Sequence, residues 1–308
     1  MKYKNRPEIS VVMPAYNHEQ YVADAIDSVL SQTFKNFELI IVNDGSTDGT
    51  EDVIKKYNDP RIRYYYQKNG GSHDAINKGI LHSRGDYVAI INSDDAFYCD
   101  RLEVLLHRAK TEGLDFVVTA VTLIDADSNI ITDTNHPWIM GYEKIKNIYR
   151  NYKSPLKAIL LGNYTISTSN FFVKRTLFDE IGTLSNLKYV LDYEFAIRAM
   201  KRDEKRFRFL VDEEHLLYRL HGKNTILSDT VGAYNEDYEL VTETMKHVFG
   251  EGLSPFLDHL KDMTFGIKAG SGSYDRNITL RKILKIYIKP GTTLFKLLKT
   301  VARVLKLP

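Results

Sequence analysis

Apolar positions along the chain recur in two rhythms. Short, mostly apolar blocks stand at Ile9–Met13, Leu39–Val42, Ile62–Tyr66, Tyr87–Ile91 and Phe116–Leu123, with the length and composition of β-strands. Between them the spacing turns helical. Tyr21–Leu30 gathers Val22, Ala25, Ile26 and Val29 on one face, a second helix starts at Thr47-Asp48 and reaches about Tyr57, a third runs Ser72–Leu81 out of Gly70-Gly71, and a fourth begins at Asp100. Strands alternating with helices predict a mostly parallel sheet with helices on both faces.

The second half is less regular. The pattern is weak over Asp125–Tyr164, then predicts a strand at Thr168–Val173, a short helix at Thr176–Ile181, a helix at Leu191–Met200, strands at Phe207–Val211 and Leu216–Leu220, and an acidic, Tyr-rich helix at Val231–Phe249. The segment Asn277–Pro308 carries eight Lys/Arg and no Asp/Glu.

In sheets of this kind ligands bind beyond the carboxyl ends of the strands. Four predicted strands end in polar clusters: Pro14-Ala15-Tyr16-Asn17, Asn43-Asp44-Gly45-Ser46, Gln67-Lys68-Asn69-Gly70-Gly71 and Asn92-Ser93-Asp94-Asp95. Turn chemistry accounts for any one of them; four with acids and aromatics at one edge point to a site. The adjacent acids Asp94 and Asp95 repel each other and lose hydration if enclosed. A hard divalent cation, Mg²⁺ or Mn²⁺, relieves that repulsion and holds a diphosphate. The chain has neither a Gly-x-x-x-x-Gly-Lys-Ser/Thr loop nor Gly-x-Gly-x-x-Gly after the first strand, which excludes a P-loop ATPase and argues against a typical dinucleotide-binding dehydrogenase. A metal-held diphosphate without either loop points to a nucleotide-sugar.

Composition narrows the picture further. With 308 residues, 43% apolar, the chain can bury a substantial core, and 42 Lys/Arg against 40 Asp/Glu does not fit a general nucleic-acid binder. The one cysteine, Cys99, supplies neither a disulfide framework nor a cysteine-rich metal site and fits a reducing cytosol. Met1–Glu8 is charged and lacks a signal-peptide core, and no apolar run reaches spanning length. The expectation is a cytoplasmic protein, soluble or peripheral on the inner face of the cytoplasmic membrane.

Three stretches carry a family resemblance. "SVVMPAYNHEQYVADAIDSVLSQTFKNFELIIVNDGSTDGT" resembles the opening of the family 2 glycosyltransferases, which invert and have the GT-A fold. "NGGSHDAINKGILHSRGDYVAIINSDD" resembles their sugar-nucleotide region, and "YVLDYEFAIRA" their catalytic acidic motif. The resemblance covers about Ile9 to His221. It implies an α/β GT-A domain over 1–222, with 1–125 binding the nucleotide-sugar and 126–222 the acceptor and base, followed by a helical extension over 223–308. It further implies a hexosyl- or N-acetylhexosaminyl-transferase that moves a sugar from a nucleotide-diphosphate donor, most commonly UDP-linked, to a glycan or lipid-linked glycan in surface polysaccharide or glycolipid assembly.

By the same resemblance Pro14, Ala15, Tyr16, Asn17, Asp44, Asn69, Asn92, Ser93 and Asp94 bind the nucleotide. Asp74, Asn77, Lys78, Asp94 and Glu194 face the donor sugar, Asp94, Asp95 and His221 hold the metal, and Asp192 is the catalytic base. Which of Asp94 and Asp95 meets the metal directly is left open by the residues alone. Arg219 and Lys223 are candidates for phosphate, and Ser169-Asn170-Phe171-Phe172 for the acceptor border. Three positions depart from the family pattern: Asn92 replaces the first acid of the metal motif, Ile76 an arginine, and Leu191 a glutamate. They keep a catalytically silent nucleotide-sugar or glycan-binding module in play. A sugar nucleotidyltransferase is the other rival, but it calls for a Gly-rich loop with Arg where Pro14-Ala15-Tyr16-Asn17 stands.

In the basic tail, Leu294, Leu297, Leu298, Val301 and Leu305 have helical spacing among Lys296, Lys299, Arg303 and Lys306, and Pro290-Gly291 divides the segment. A basic amphipathic helix of this kind lies on anionic lipid or packs its apolar stripe on the catalytic domain or a second subunit. Nothing in the residues sets an oligomeric state.

Overall fold

The computed structural model describes residues 6–222 and 230–249. Its strands are β1 (Ile9–Ala15), β2 (Phe37–Asn43), β3 (Ile62–Tyr66), β4 (Tyr87–Ile90), β5 (Ala96–Phe97), β6 (Phe116–Ile124), β7 (Phe172–Lys174) and β8 (Phe207–Arg219). The helices are α1 (Val22–Leu30), α2 (Thr50–Ile54), α3 (Ser72–His82), α4 (Arg101–Glu112), α5 (Pro137–Asn151), α6 (Pro155–Ile159), α7 (Arg175–Ile181), α8 (Leu191–Asp203) and α9 (Thr230–Phe249). All strands join one sheet in the order β3-β2-β1-β4-β7-β6-β8-β5.

β1, β2, β3 and β4 are mutually parallel, so their carboxyl ends, with the four polar clusters, share one edge. β1 and β2 are buried along their whole length, which their continuous apolar sequence allows only with helices on both faces. α1 packs Val22, Ala25, Ile26 and Val29 inward, as its spacing predicts. α3 lies close on β1 because position 79 is glycine: a Cβ there would sit 2.3 Å from Val12 Cγ1. At the opposite edge the buried Glu38 carboxylate accepts from Ser10 Oγ (2.7 Å), Arg63 Nη1 (2.8 Å), and the backbone N (2.8 Å) and Nε (2.9 Å) of Arg84. These bonds fasten β1, β2, β3 and the turn before β4.

β7 runs antiparallel to both β4 and β6, and β5 antiparallel to β8, so the sheet is mixed on this side. The structure alters four sequence expectations here. The weak region holds α5 and α6, each opened by a proline at the first helical turn. The two expected strands after 207 are one strand, β8, whose register against β6 shifts around Ala120. Thr168–Asn170 is a 3₁₀ turn, not strand, because the Asn170 amide bonds Thr119 O, Thr119 N and Thr165 O instead of leaving the backbone to pair. α2 is short, Thr50–Ile54, because the preceding residues form a loop held by Asp48.

α9 packs onto the same core through Tyr238, Val241 and Met245. Its Glu236 carboxylate accepts from the backbone N–H groups of Lys188 (3.1 Å) and Tyr189 (2.8 Å), in the loop that leads into α8. Among the described residues no helix is long and apolar enough to cross a membrane. The basic segment 277–308 lies outside the described residues.

Candidate active site

Side-chain ties weld the strand-end loops into one surface. Asn17, held in the left-handed region at φ 52°, accepts from Thr47 N (2.8 Å), while its own N–H donates to Ser46 Oγ (3.1 Å). Asp44 is buried, and its two oxygens accept from Gln67 Nε2 (2.8 Å), Gly70 N (2.9 Å) and Gly71 N (2.9 Å). Gly45, at φ +72°, lies so close to the next loop that a Cβ would approach Asn69 N to 2.8 Å. Pro14 and Ala15 are buried as the end of β1, whereas Tyr16 and Asn69 face solvent over this cradle.

The acids at the end of β4 point in different directions. Asp94 Oδ2 is 2.9 Å from His221 Nε2. Asp95 turns inward, accepting from Ser169 Oγ (2.5 Å) and from Arg219 N (2.9 Å). Burial acts to raise the Asp94 carboxyl, but the His221 hydrogen bond and the charges of His18 and His221 outweigh it and hold the group below its ordinary value. For Asp95, burial and then the Asp94 charge act in the same direction, and its carboxyl lies well above the usual range. The two neighbours thus sit in unlike environments: the histidines favour charge on Asp94, whereas burial and the Asp94 charge disfavour it on Asp95.

His18, Asp94 and His221 each offer one ligand atom, all within 4.8 Å of one another. One carboxylate oxygen with two imidazole nitrogens is a donor set that fits a divalent cation. Asp95, also expected at the metal, is not one of these three; its oxygens accept from Ser169 Oγ and Arg219 N. His18 was not singled out by its sequence, although it follows Pro14-Ala15-Tyr16-Asn17 directly at the same sheet edge as Asp94. Arg219, expected at phosphate, is fully buried and serves the protein instead. It donates from Nε to Asp94 O (2.6 Å), from Nη1 to Ser128 Oγ (2.8 Å) and from Nη2 to Asp24 Oδ2 (3.1 Å), and lies over the Tyr21 ring.

Asp192 stands in the first turn of α8, 6% exposed. Asn163 Nδ2 donates to its Oδ2 at 3.0 Å. The amide is oriented because Asn163 Oδ1 accepts from both Thr165 N (3.0 Å) and Thr165 Oγ1 (2.5 Å). Burial raises the Asp192 carboxyl, and the Asn163 bond and helix N–H groups only partly oppose it. Tyr218 relates this acid to the first group: burial, then the charges of Asp95, Asp94 and Asp192, push its phenol up. Trp138 stacks on the Tyr218 ring at 5.7 Å.

Residues 10–182 match the family model described as glycosyl transferase family 2. The chain belongs to that family. An uncharacterized glycosyltransferase of Rickettsia typhi is 33% identical over 236 residues, spanning 76% of this chain and 70% of its own. A Bacillus subtilis protein, provisionally named as the teichuronic acid biosynthesis glycosyltransferase TuaG, is 38% identical over 125 residues, 40% of this chain and 50% of its own. Among solved structures, S. aureus TarS 1-349 in complex with UDP-GlcNAc is similar with a TM-score of 0.60 at 17% identity, covering 98% of this chain and 76% of that one. The sheet and its flanking helices are the expected GT-A fold.

Other residues that the family 2 resemblance assigned to the donor are engaged elsewhere. Asn77 makes a two-bond clasp to the Leu184 backbone (2.8 and 3.0 Å), and Lys78 donates to Tyr66 O (2.9 Å). Glu194 pairs with Arg198 and accepts from Ser185 Oγ, so it is an intrahelical ion pair in this structure. Asp74 is exposed beside His73. Asn92 fastens its turn to Thr168 (3.1 Å) and Ser167 (3.1 Å), which needs no charge and accounts for an amide at that position. Ser93 is buried against His18. Ser169, Asn170, Phe171 and Phe172 are buried and support the site from beneath, so the expectation that they border the acceptor is corrected. Lys223 lies outside the described residues.

Proposed function

We propose that this family 2 member is an inverting, divalent-cation-dependent glycosyltransferase. It takes a sugar from a nucleotide-diphosphate donor, UDP-linked by preference, and passes it to a glycan or lipid-linked glycan in surface polysaccharide or glycolipid assembly. The observation that carries the reading is the group of His18, Asp94 and His221, whose ligand atoms all lie within 4.8 Å of one another beyond the strand ends. Asp192, buried on the separate element α8, supplies a second acid. TuaG, named for teichuronic acid biosynthesis, and TarS, whose structure holds UDP-GlcNAc, support the pathway and the donor class.

The chemistry follows from the two acids. Tyr16 offers an exposed aromatic face to the nucleoside over the cradle that Asn17 and Asp44 hold together. Asp94 and His221 would hold the cation, whose charge would stabilise the leaving diphosphate. On the other side of the sugar, Asp192 accepts the proton of the acceptor hydroxyl as its oxygen bonds the anomeric carbon and the bond to the diphosphate breaks. Asn163 keeps the carboxylate aimed. Residues 1–222 are the catalytic unit in this reading, with α9 bracing the approach to Asp192, and the basic tail 277–308 brings the enzyme to the membrane surface where lipid-linked acceptors reside.

Calorimetric titration of UDP, GDP and dTDP with and without Mn²⁺, beside transfer assays on wild type and Asp192→Asn, tests the proposal. One nucleotide binds only with metal, and Asp192→Asn retains that binding while losing transfer by about 10²–10⁴-fold. Nucleotide binding by the wild type with neither transfer nor donor hydrolysis makes the silent module the correct reading.

A further inference from the structure

We propose that His18 is a third protein ligand of the cation, and that the resulting set of two imidazoles and one carboxylate selects Mn²⁺ over Mg²⁺. The inference rests on the reading that this cleft holds a divalent cation, and names what that reading leaves open: a ligand and the metal class.

Three elements distant in sequence converge here. His18 follows β1, Asp94 follows β4 and His221 follows β8, yet their ligand atoms all lie within 4.8 Å of one another. Each histidine has a reason to stay where it is. The His18 backbone N–H donates to the buried Thr50 Oγ1 (2.8 Å), and Asn17 before it is locked by Thr47 and Ser46. The His18 ring bonds Ser93 Oγ through Nδ1 at 2.8 Å, and Ser93 is only 1% exposed. A buried hydroxyl bonded to one ring nitrogen fixes the imidazole, as outer-shell partners orient metal-ligating histidines. The His221 ring stands nearly perpendicular to His18, at 5.9 Å and 83°, and packs on Tyr21 at 5.1 Å. Both rings are thus fixed by groups unrelated to the acid they approach.

The donor set decides the metal. Mg²⁺ binds oxygen ligands and keeps several waters, so two imidazoles are a poor exchange for its hydration. Nitrogen donors suit the transition metals, and Mn²⁺ also accepts the carboxylate and diphosphate oxygens. With Asp95 turned towards Ser169 and the Arg219 backbone, the group offers one carboxylate and two imidazoles, an oxygen-poor set for Mg²⁺.

The test is electron paramagnetic resonance on the full chain titrated with Mn²⁺, with spin-echo modulation reading directly bonded nitrogen. Wild type gives two inequivalent ¹⁴N couplings. His18→Ala loses one and raises the Mn²⁺ Kd by at least about tenfold, and Ser93→Ala keeps both couplings while raising Kd roughly 10–100-fold. His18→Asp narrows the ratio of the Mg²⁺ and Mn²⁺ Kd values. Thermal unfolding of each variant within a few degrees of wild type establishes that the fold is retained. A single coupling in wild type, or two that survive in His18→Ala, overturns the assignment of His18. If UDP then still binds only with Mn²⁺, the transferase reading stands without it. No Mn²⁺ binding by wild type, with or without UDP, overturns both.

Discussion

The most informative single perturbation is Asn163→Ala. The Asn163 amide donates to Asp192 Oδ2 at 3.0 Å, ahead of a smaller contribution from the Thr165 side chain, and its orientation is set by the two bonds from Thr165. A hydrogen bond to a charged acceptor contributes about 1.5–3 kcal/mol. At 1.36 kcal/mol per unit, losing it from the ionised form alone raises the Asp192 carboxyl by roughly one to two pH units. Burial already raises this group. A base must be ionised to work, so kcat/KM falls as pH drops through its pKa in the free enzyme. The acid limb of wild type therefore lies above the ordinary carboxylate range, and in Asn163→Ala it moves further up while the rate well above it changes little. Asn163→Asp, which sets a second acid beside the first, moves the limb more. The assay is a pH series of kcat/KM with subsaturating donor. A limb that stays in place in a folded Asn163→Ala enzyme refutes the positioning argument. A wild type with no acid limb refutes Asp192 as the base.

Two further outcomes concern stability. The Glu38 carboxyl is raised by burial but held below its ordinary value overall by hydrogen bonds from Arg63, Ser10 and Arg84. A depressed acid stabilises the fold above its unfolded pKa and loses that contribution as pH falls through the folded one. Glu38→Gln therefore costs about 1–3 kcal/mol at pH 7, moderated because Arg63 and Arg84 are partly exposed, and the gap to wild type closes towards pH 3 in urea titrations. Gly79→Ala forces a methyl to 2.3 Å from Val12 Cγ1 and separates α3 from β1; a loss of about 1–3 kcal/mol is expected by denaturant melts, and an unchanged midpoint would show that the two elements have slack.

Much of this protein is legible in its sequence. Alternating strand and helix patterns determine a parallel sheet, and a parallel sheet brings successive strand ends to one edge. That alone was enough to collect Tyr16, Asp44, Asn69 and Asp94 from four separate stretches, and the family resemblance added Asp192 and His221. These features depend on local residue type and chain direction, which a linear sequence carries in full.

What only the tertiary structure decided is where each side chain turns. Asp94 and Asp95 are identical neighbours in sequence, yet one meets His221 and the other meets Ser169 and the Arg219 backbone. Their roles separate because partners more than seventy residues away claim one of them. His18 joins Asp94 and His221, Arg219 is drawn into the interior, and Ser169 to Phe172 lie beneath the site for the same reason. Asn163, in the region where periodicity was weakest, bonds Asp192, the proposed base, on a helix that begins 28 residues later. Hydrogen bonding is short-ranged in space and indifferent to distance along the chain, so the division of labour among chemically equivalent residues is set by packing.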